Sequence, residues 1–403
     1  MQPWREVLVP ILDASVAEFL VHDSQTEALQ ALPVKGEAKL YVCGITPYDA
    51  THMGHAATYV AFDTLHRFWR AIGVHVHYAQ NITDIDDPLL ERAKLTSRPW
   101  QKIATEQIEL FMTDMEALRV IPPQNYVGVV EAMELIERSA VKLKELGVAY
   151  QVENDLYYDM MQTDLLGKIC HLPNSEMLEV FAQRGGDPLR TGKRNALDAL
   201  LWRGQSGDDP SWPSALGSGR PGWHIECSAI ATHYLGSQIT VQGGGSDLKF
   251  PHHEMSAAHA ESATGVRPFA NVFMHAGMVS LDGEKMSKSL GNLVFVSKLR
   301  AQGVDPMAIR LVLLSHHYRS DWEWLDDALE LAKERLNIWR SAFACPLGAP
   351  SPVVEIVAKL GTDLDMPGAI EIIDAWARKT IDGDVSESTE LTAIAVDAIL
   401  GIV

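Results

Sequence analysis

The spacing of apolar positions along this chain changes several times, and each change marks a predicted element. Residues 39–43, "KLYVC", form a short apolar run that predicts a buried strand. From 54 to 72, "GHAATYVAFDTLHRFWRAI", apolar residues recur at three- and four-residue spacing and predict a helix. "VHVHYAQNITDIDD" follows as a second strand running into a loop with four acidic or amide side chains. Strand, helix and strand in this order are the signature of a parallel nucleotide-binding sheet. Residues 99–119 and 128–147 predict amphipathic helices, the second closed by Gly147. Between about 150 and 210 the chain becomes loop-rich, with Gly, Pro and Asp crowded into "QRGGDPLRTGKRNALDALLW" and "GQSGDDPSWPSALGSGRPG". Strand character returns at "SQITVQGGG" and "FANVFMHAGMVS", a second loop "LDGEKMSKSLGN" follows, and after 296 the pattern is helical. No internal repeat or low-complexity tract interrupts this order.

The predicted fold class is therefore α/β, a parallel sheet whose two halves are separated by an insertion. The expected division is an N-terminal extension at 1–35, a first catalytic half at 36–119, an inserted connective region at 120–210, a second half at 211–295 and a helical region at 296–403. Composition adds constraints. The 403 residues are 47% hydrophobic and 22% charged, enough for two or three domains. With 53 acidic against 34 basic residues the formal charge is -19, which repels phosphate backbones unless basic residues concentrate locally. The first twenty residues carry no signal-peptide pattern and no apolar run reaches membrane-spanning length, so a cytoplasmic location and no membrane contact are expected. The four cysteines lie far apart, which argues for single thiols or metal ligands over structural disulfides.

Three clusters carry candidate chemistry. His52-Met53-Gly54-His55 opens the first helix, where free N–H groups and the helix dipole attract phosphate, although capping histidines explain the same four residues. "KMSKS" at 285–289 puts Lys285 and Lys288 on a loop, where two ammonium groups could neutralise a leaving pyrophosphate or merely form a solvated turn. Cys43, Cys227 and His252 offer two thiols and an imidazole, the usual zinc donors, though their spacing alone does not decide for a metal. Cys43 reads equally as a small apolar residue ending a strand.

The two loop motifs together, in this order and on either side of an insertion, are similar to the paired signatures of class I aminoacyl-tRNA synthetases. "YVCG", "PGWHIECS", "GGSDLKFPHHE" and "KMSKSLGN" resemble the cysteinyl-tRNA synthetase family over roughly residues 36 to 300. That resemblance implies a Rossmann-like catalytic domain and one zinc on Cys43, Cys227 and His252, which takes the thiolate of substrate cysteine. The family has a further glutamate ligand four residues after the histidine. Here that position is Ser256, a poor zinc donor, which leaves the fourth position open for a substrate thiolate.

Two departures redirect the acceptor. Ile45-Thr46-Pro47 and Ala56-Ala57-Thr58 differ from the synthetase pattern, and residues 341–403 hold 10 Asp or Glu against three Lys or Arg, the wrong sign for tRNA. With "QRGGDP" at 183–188, these features resemble the cysteine ligase family of mycothiol biosynthesis, which usually has glutamate in place of Gln183. The resemblance implies L-cysteine, ATP and glucosaminyl-inositol as substrates, Mg²⁺ with ATP, no tRNA, and a monomer. It implies phosphate contacts from His52, His55, Lys285 and Lys288. Adenylate or amino-acid contacts are expected from Cys43, Gly44, Ile45, Thr46, Thr58, Asn81, Ile82, Thr83, Trp223, Gly245, Ser246, Asp247 and Val279. Asp247 and His55 both stand as candidates to deprotonate the amine. The competing readings are a truncated cysteinyl-tRNA synthetase and a silent nucleotide-binding paralogue.

Overall fold

The computed structural model describes residues 1–403 except 34, 35, 282, 287–290, 326 and 403, together with the backbone but not the side chain of Lys285. Five strands pair wholly in parallel: β1 (Gly36–Val42), β2 (Val74–Ile82), β3 (Asn125–Gly128), β4 (Ile239–Gly245) and β5 (Ala270–Ala276). Their order across the sheet is β5-β4-β1-β2-β3. Leu40, Val42, Val76, Tyr78, Val241 and Val272 are buried, as expected where both faces of a parallel sheet are covered. Helix α1 (Met53–Ala71) covers one face with Phe62, Leu65, Phe68 and Trp69. It packs so closely on β4 that a Cβ at Gly243 would lie 2.4 Å from the Phe62 ring. Helices α2 (Trp223–Leu235) and α3 (Glu254–Thr264) pack against each other and flank β4 in sequence.

The helix expected from 128 starts at Met133, because the residues before it form β3 and extend the parallel sheet. The loop-rich stretch contains short strands, 149–152, 155–158 and 199–204, which pair with 219–221 in a four-stranded antiparallel sheet. That sheet therefore reaches beyond residue 210 to Pro221. Strands of four to six residues are too short to show a clear two-residue alternation, so the segment read as loop. Glu254 ties the insertion to α3: its carboxylate accepts N–H groups from Gly167 at 2.8 Å, Ile169 at 2.9 Å and Cys170 at 2.8 Å. The N-terminal residues form an antiparallel hairpin, Phe19–Asp23 with Ala28–Leu32. No helix among the described residues is long and apolar enough to cross a membrane.

The C-terminal helices are fastened to α1 through a buried charge cluster. Asp63 receives Arg67 Nε at 2.7 Å, Arg310 Nη2, and the Ile121 N–H at 2.8 Å. Arg310 also donates to the carbonyls of Leu400 at 2.6 Å and Leu118 at 2.7 Å, while Arg67 reaches Asp397 O at 3.0 Å. The two arginines hold Asp63 below its usual carboxylate range although burial alone would raise it. Removing one partner would leave buried charge uncompensated, so Arg310→Ala should lower the unfolding free energy by about 3–5 kcal/mol, measured by urea denaturation.

Two buried histidines predict acid sensitivity. Burial pushes His66 and His259 from 6.5 down to about 3. Each stays neutral when folded and takes a proton when unfolded, so the unfolded state binds more protons as pH falls below 6.5. Stability should fall in that direction by up to about 1.4 kcal/mol per pH unit for each group. Urea melts between pH 6 and 5 should show a shallower slope in His66→Phe than in the parent chain.

Candidate active site

The chain leaves β1 toward β2 and β3 on one side, then returns to build β4 and β5 on the other. The adjacent carboxyl ends of β1 and β4 are therefore a topological switch point, where open parallel sheets form their binding crevice. The Cys43 N–H donates to the Gly243 carbonyl at 3.0 Å, so the first residue beyond β1 is fixed on β4. Gly44 admits a tight crossing, since a Cβ there would lie 1.7 Å from the Asn81 carbonyl oxygen. Asn81 Oδ1 accepts from Gly44 N at 2.8 Å and Tyr41 Oη at 3.1 Å, and the Thr83 N–H donates to Ile45 O at 3.0 Å. Asn81, Ile82 and Thr83 are buried and brace the loop 43–46 from behind.

Cys43, Cys227 and His252 meet at this point, each buried, with their donor atoms all within 4.8 Å of one another. Cys227 comes from α2 and His252 from the bend before α3. His252 Nε2 lies 3.1 Å from Cys227 Sγ, while its Nδ1 lies 3.1 Å from Nδ1 of His224. Burial holds His224 well below the ordinary histidine range, so a neutral His224 can accept the His252 Nδ1 proton and leave the Nε2 lone pair facing the thiols. Cys43 Sγ lies 3.2 Å from His253 Nε2, His253 Nδ1 lies 2.8 Å from His275 Nε2, and His275 Nδ1 lies 2.8 Å from Ser24 Oγ. Burial keeps both of these imidazoles neutral as well. If Cys43 serves as a thiolate ligand, the relay runs one way: Ser24 donates to His275, His275 to His253, and His253 to Cys43 Sγ; with a Cys43 thiol the same contacts are satisfied in the opposite direction. Burial and the neighbouring Cys43 push the Cys227 thiol well above its usual range, a penalty that a cation among these donors would remove. Two thiols and an imidazole, with the outer nitrogens oriented this way, fit a zinc ion. Ser256 stays apart: its hydroxyl accepts from Gln242 at 3.1 Å and donates to His253 O at 3.3 Å.

His52 is the N-cap of α1, and its Nδ1 accepts the Gly54 N–H at 3.1 Å. In a neutral ring that contact puts the proton on Nε2. The His55 ring stacks on His52 with centroids 3.7 Å apart, and burial holds His55 well below the ordinary histidine range. A cavity of about 380 Å³ opens in front of them. It is lined by Cys43, Gly44, Ile45, Thr46, His52, His55, Thr58, Trp223, Gly245, Asp247 and Val279 among others. Trp223, the first residue of α2, stacks on His252 with centroids 4.4 Å apart and so joins the cavity to the Cys43–Cys227–His252 group. Ser246 opens a short helical turn and is not in the wall. Lys288 lies outside the described residues, as does the side chain of Lys285, whose backbone ends a strand pairing with Val279–Leu281.

Residues 30–334 match the model of the tRNA synthetases class I (C) catalytic domain. A curated relative from Thermomonospora curvata, L-cysteine:1D-myo-inositol 2-amino-2-deoxy-alpha-D-glucopyranoside ligase, is 53% identical over 95% of this chain and 94% of its own length. A protein of the same name from Kribbella flavida is 52% identical over 100% of both chains. The chain belongs to this ligase family. Among solved structures, Mycobacterium tuberculosis methionyl-tRNA synthetase in complex with methionyl-adenylate superposes with a TM-score of 0.66 at 16% identity, covering 91% of this chain and 89% of that one. A LeuRS from Agrobacterium radiobacter K84, in a ternary complex, gives 0.61 at 11% identity over 90% and 83%. These two likenesses concern the fold, an α/β class I synthetase architecture.

For a ligase of this family, several wall residues escaped sequence reasoning. Tyr48, Asp49 and Tyr59 line the cavity without belonging to any motif considered above, and Met286 lines it from within "KMSKS", where only the lysines were singled out. Arg184 is a stronger omission. It sits in "QRGGDP" and donates through Nη1 to the carbonyls of Asp247 and Phe250, tying that motif to the bend that carries His252. Its only sequence signal was membership in the motif. The donor group makes a direct prediction: zinc analysis of purified Cys227→Ala should fall from about one equivalent per chain to near zero. Unchanged zinc would remove Cys227 from the site.

Proposed function

We propose that this chain is an ATP-dependent ligase that activates L-cysteine as cysteinyl-adenylate and transfers it to the amine of glucosaminyl-inositol, in mycothiol biosynthesis. The observation that carries this reading is that Cys43 belongs both to the buried donor group and to the wall of the cavity containing His52 and His55. One short segment thus places a thiol-selective site beside a phosphate-binding helix start. Residues 43, 227 and 252 would hold zinc, which supplies a soft Lewis acid matched to a thiolate and mismatched to the hydroxyl of serine.

The chain's own groups suit the two steps. In the first, the cysteine carboxylate attacks the α-phosphate of ATP and pyrophosphate leaves. The His52 Nε2–H, His55 and the start of α1 stabilise phosphate charge there, with Lys285 and Lys288 assigned to the leaving group and Mg²⁺ accompanying ATP. Thr46, Thr58, Gly245, Asp247 and Val279 surround the adenylate, and Trp223 walls the amino-acid end. In the second step the acceptor nitrogen, as the free amine, bonds the acyl carbon, the bond from that carbon to the phosphate oxygen breaks, AMP departs, and the proton lost from nitrogen goes to Asp247 or His55. Neighbouring placement of amine and adenylate supplies proximity. The acidic charge of residues 341–403 favours a small acceptor over tRNA, and the chain is read as a cytoplasmic monomer.

Cysteine-dependent ATP–pyrophosphate exchange should be measurable, and amide should form only when glucosaminyl-inositol is added. Charging of tRNA with cysteine in the same assay would replace this reading with the truncated synthetase. Absence of exchange would leave a silent nucleotide-binding paralogue.

A further inference from the structure

A second cavity, of about 640 Å³, adjoins the first and shares Thr46, Tyr48, Trp223 and Asp247 with it as common walls. It extends from those walls between the start of the helix Asp87–Thr96 and the loop 183–187. The volume lies in the range of small-molecule sites. Because the partition is shared, a molecule in the second cavity has its near end beside whatever occupies the first.

The charges lining this cavity are mostly matched. Asp87 is engaged by Arg203 at 3.0 Å and by Arg220. Asp187 is engaged by Lys193 at 2.9 Å and by Tyr157. Arg184 is committed to two backbone carbonyls. Two lining carboxylates, Asp86 and Glu91, have no ion-pair partner among the described residues. Both lie at the shared wall, since the Tyr48 phenol is raised by burial and by the charges of Asp49, Asp86 and Glu91. Asp86 Oδ1 accepts the Asp87 N–H at 2.8 Å and so caps the helix, which fixes the carboxylate at the cavity edge. Asp86 is the more buried of the two: burial raises it to about 6, while Arg220 and Arg203, both already bonded to Asp87, pull it back toward the charged form.

We propose that this second cavity is the acceptor site and takes an amino sugar glycoside, its ammonium held by Asp86 with Glu91 at the rim and its hydroxyl-rich remainder along the 183–187 loop. The assignment rests on the ligase reading above and adds to it the place and polarity of the acceptor. A cationic amine matches the two unpaired carboxylates, whereas a polynucleotide end would bring phosphate against them. The Gln183–Pro188 motif, which had no chemical role in the sequence, becomes one wall of the acceptor site.

The experiment compares both half-reactions in Asp86→Asn and Glu91→Gln. Asparagine caps helices about as well as aspartate, so Asp86→Asn keeps the helix start while removing the charge. In Asp86→Asn the KM for glucosaminyl-inositol should rise about tenfold or more, with a smaller rise in Glu91→Gln, as expected for loss of a charge-assisted contact. Cysteine-dependent pyrophosphate exchange should stay within about twofold of the parent in both, since the adenylate cavity is untouched. An unchanged acceptor KM in Asp86→Asn overturns the assignment. Parallel loss of exchange and ligation overturns it too, by placing Asp86 in the adenylation step or the fold. If the parent chain exchanges pyrophosphate but never forms amide with glucosaminyl-inositol, the ligase reading fails and the acceptor assignment falls with it.

Discussion

Everything chemical in this molecule depends on the parallel pairing of β1 with β4, the two strands that bracket the insertion in sequence. They are separated by nearly two hundred residues, yet the Cys43 N–H is bonded to the Gly243 carbonyl at 3.0 Å. That pairing creates the switch point and sets β1's exit loop against the exit of β4. The glycine at 44 is a steric condition of the same junction, because the Asn81 carbonyl occupies the space of any side chain. Fixing the loop in this way aims Cys43 toward α2 and the bend before α3, where Cys227 and His252 wait.

A second consequence concerns how polar groups survive inside such a junction. Burial penalises charge on every histidine around the donor group, so each remains a neutral ring with one donor and one acceptor. Neutral rings impose direction on a hydrogen-bonded chain. The line from Ser24 through His275 and His253 to Cys43 runs from the N-terminal hairpin to the site, and the hairpin in turn hydrogen-bonds β5 through Ser24 N and Phe273 O at 2.9 Å. The N-terminal extension is therefore part of the support of the site, holding the outermost ring of that chain in register.

How much of this was legible in the sequence follows from the range of each signal. The start of α1 with His52 and His55 was readable because helix caps are local, written in neighbouring residues. Four of the five parallel strands were readable as apolar runs, while β3, only four residues long, was not. The three metal donors, by contrast, lie on separate elements and share no local spacing; resemblance connected them, and the structure brings their atoms within 4.8 Å. Asn81, Ile82 and Thr83, expected among the adenylate or amino-acid contacts, are buried, and Asn81 and Thr83 hydrogen-bond Gly44 and Ile45, an arrangement that no periodicity encodes. The antiparallel insertion was hidden because its strands are brief. Arg184 was hidden because its partners are backbone carbonyls, which have no sequence identity.

The C-terminal helices show how acceptor choice and fold can be separated. Their attachment relies on Arg310 and Arg67 reaching across to Asp63 and to the carbonyls near 397–400, all buried and independent of surface charge. The surface of the same helices is then free to be acidic without weakening the anchor, since exposed charges contribute little to stability. A buried arginine cluster keeps the helical region in place beside the parallel sheet whatever the sign of its surface charge.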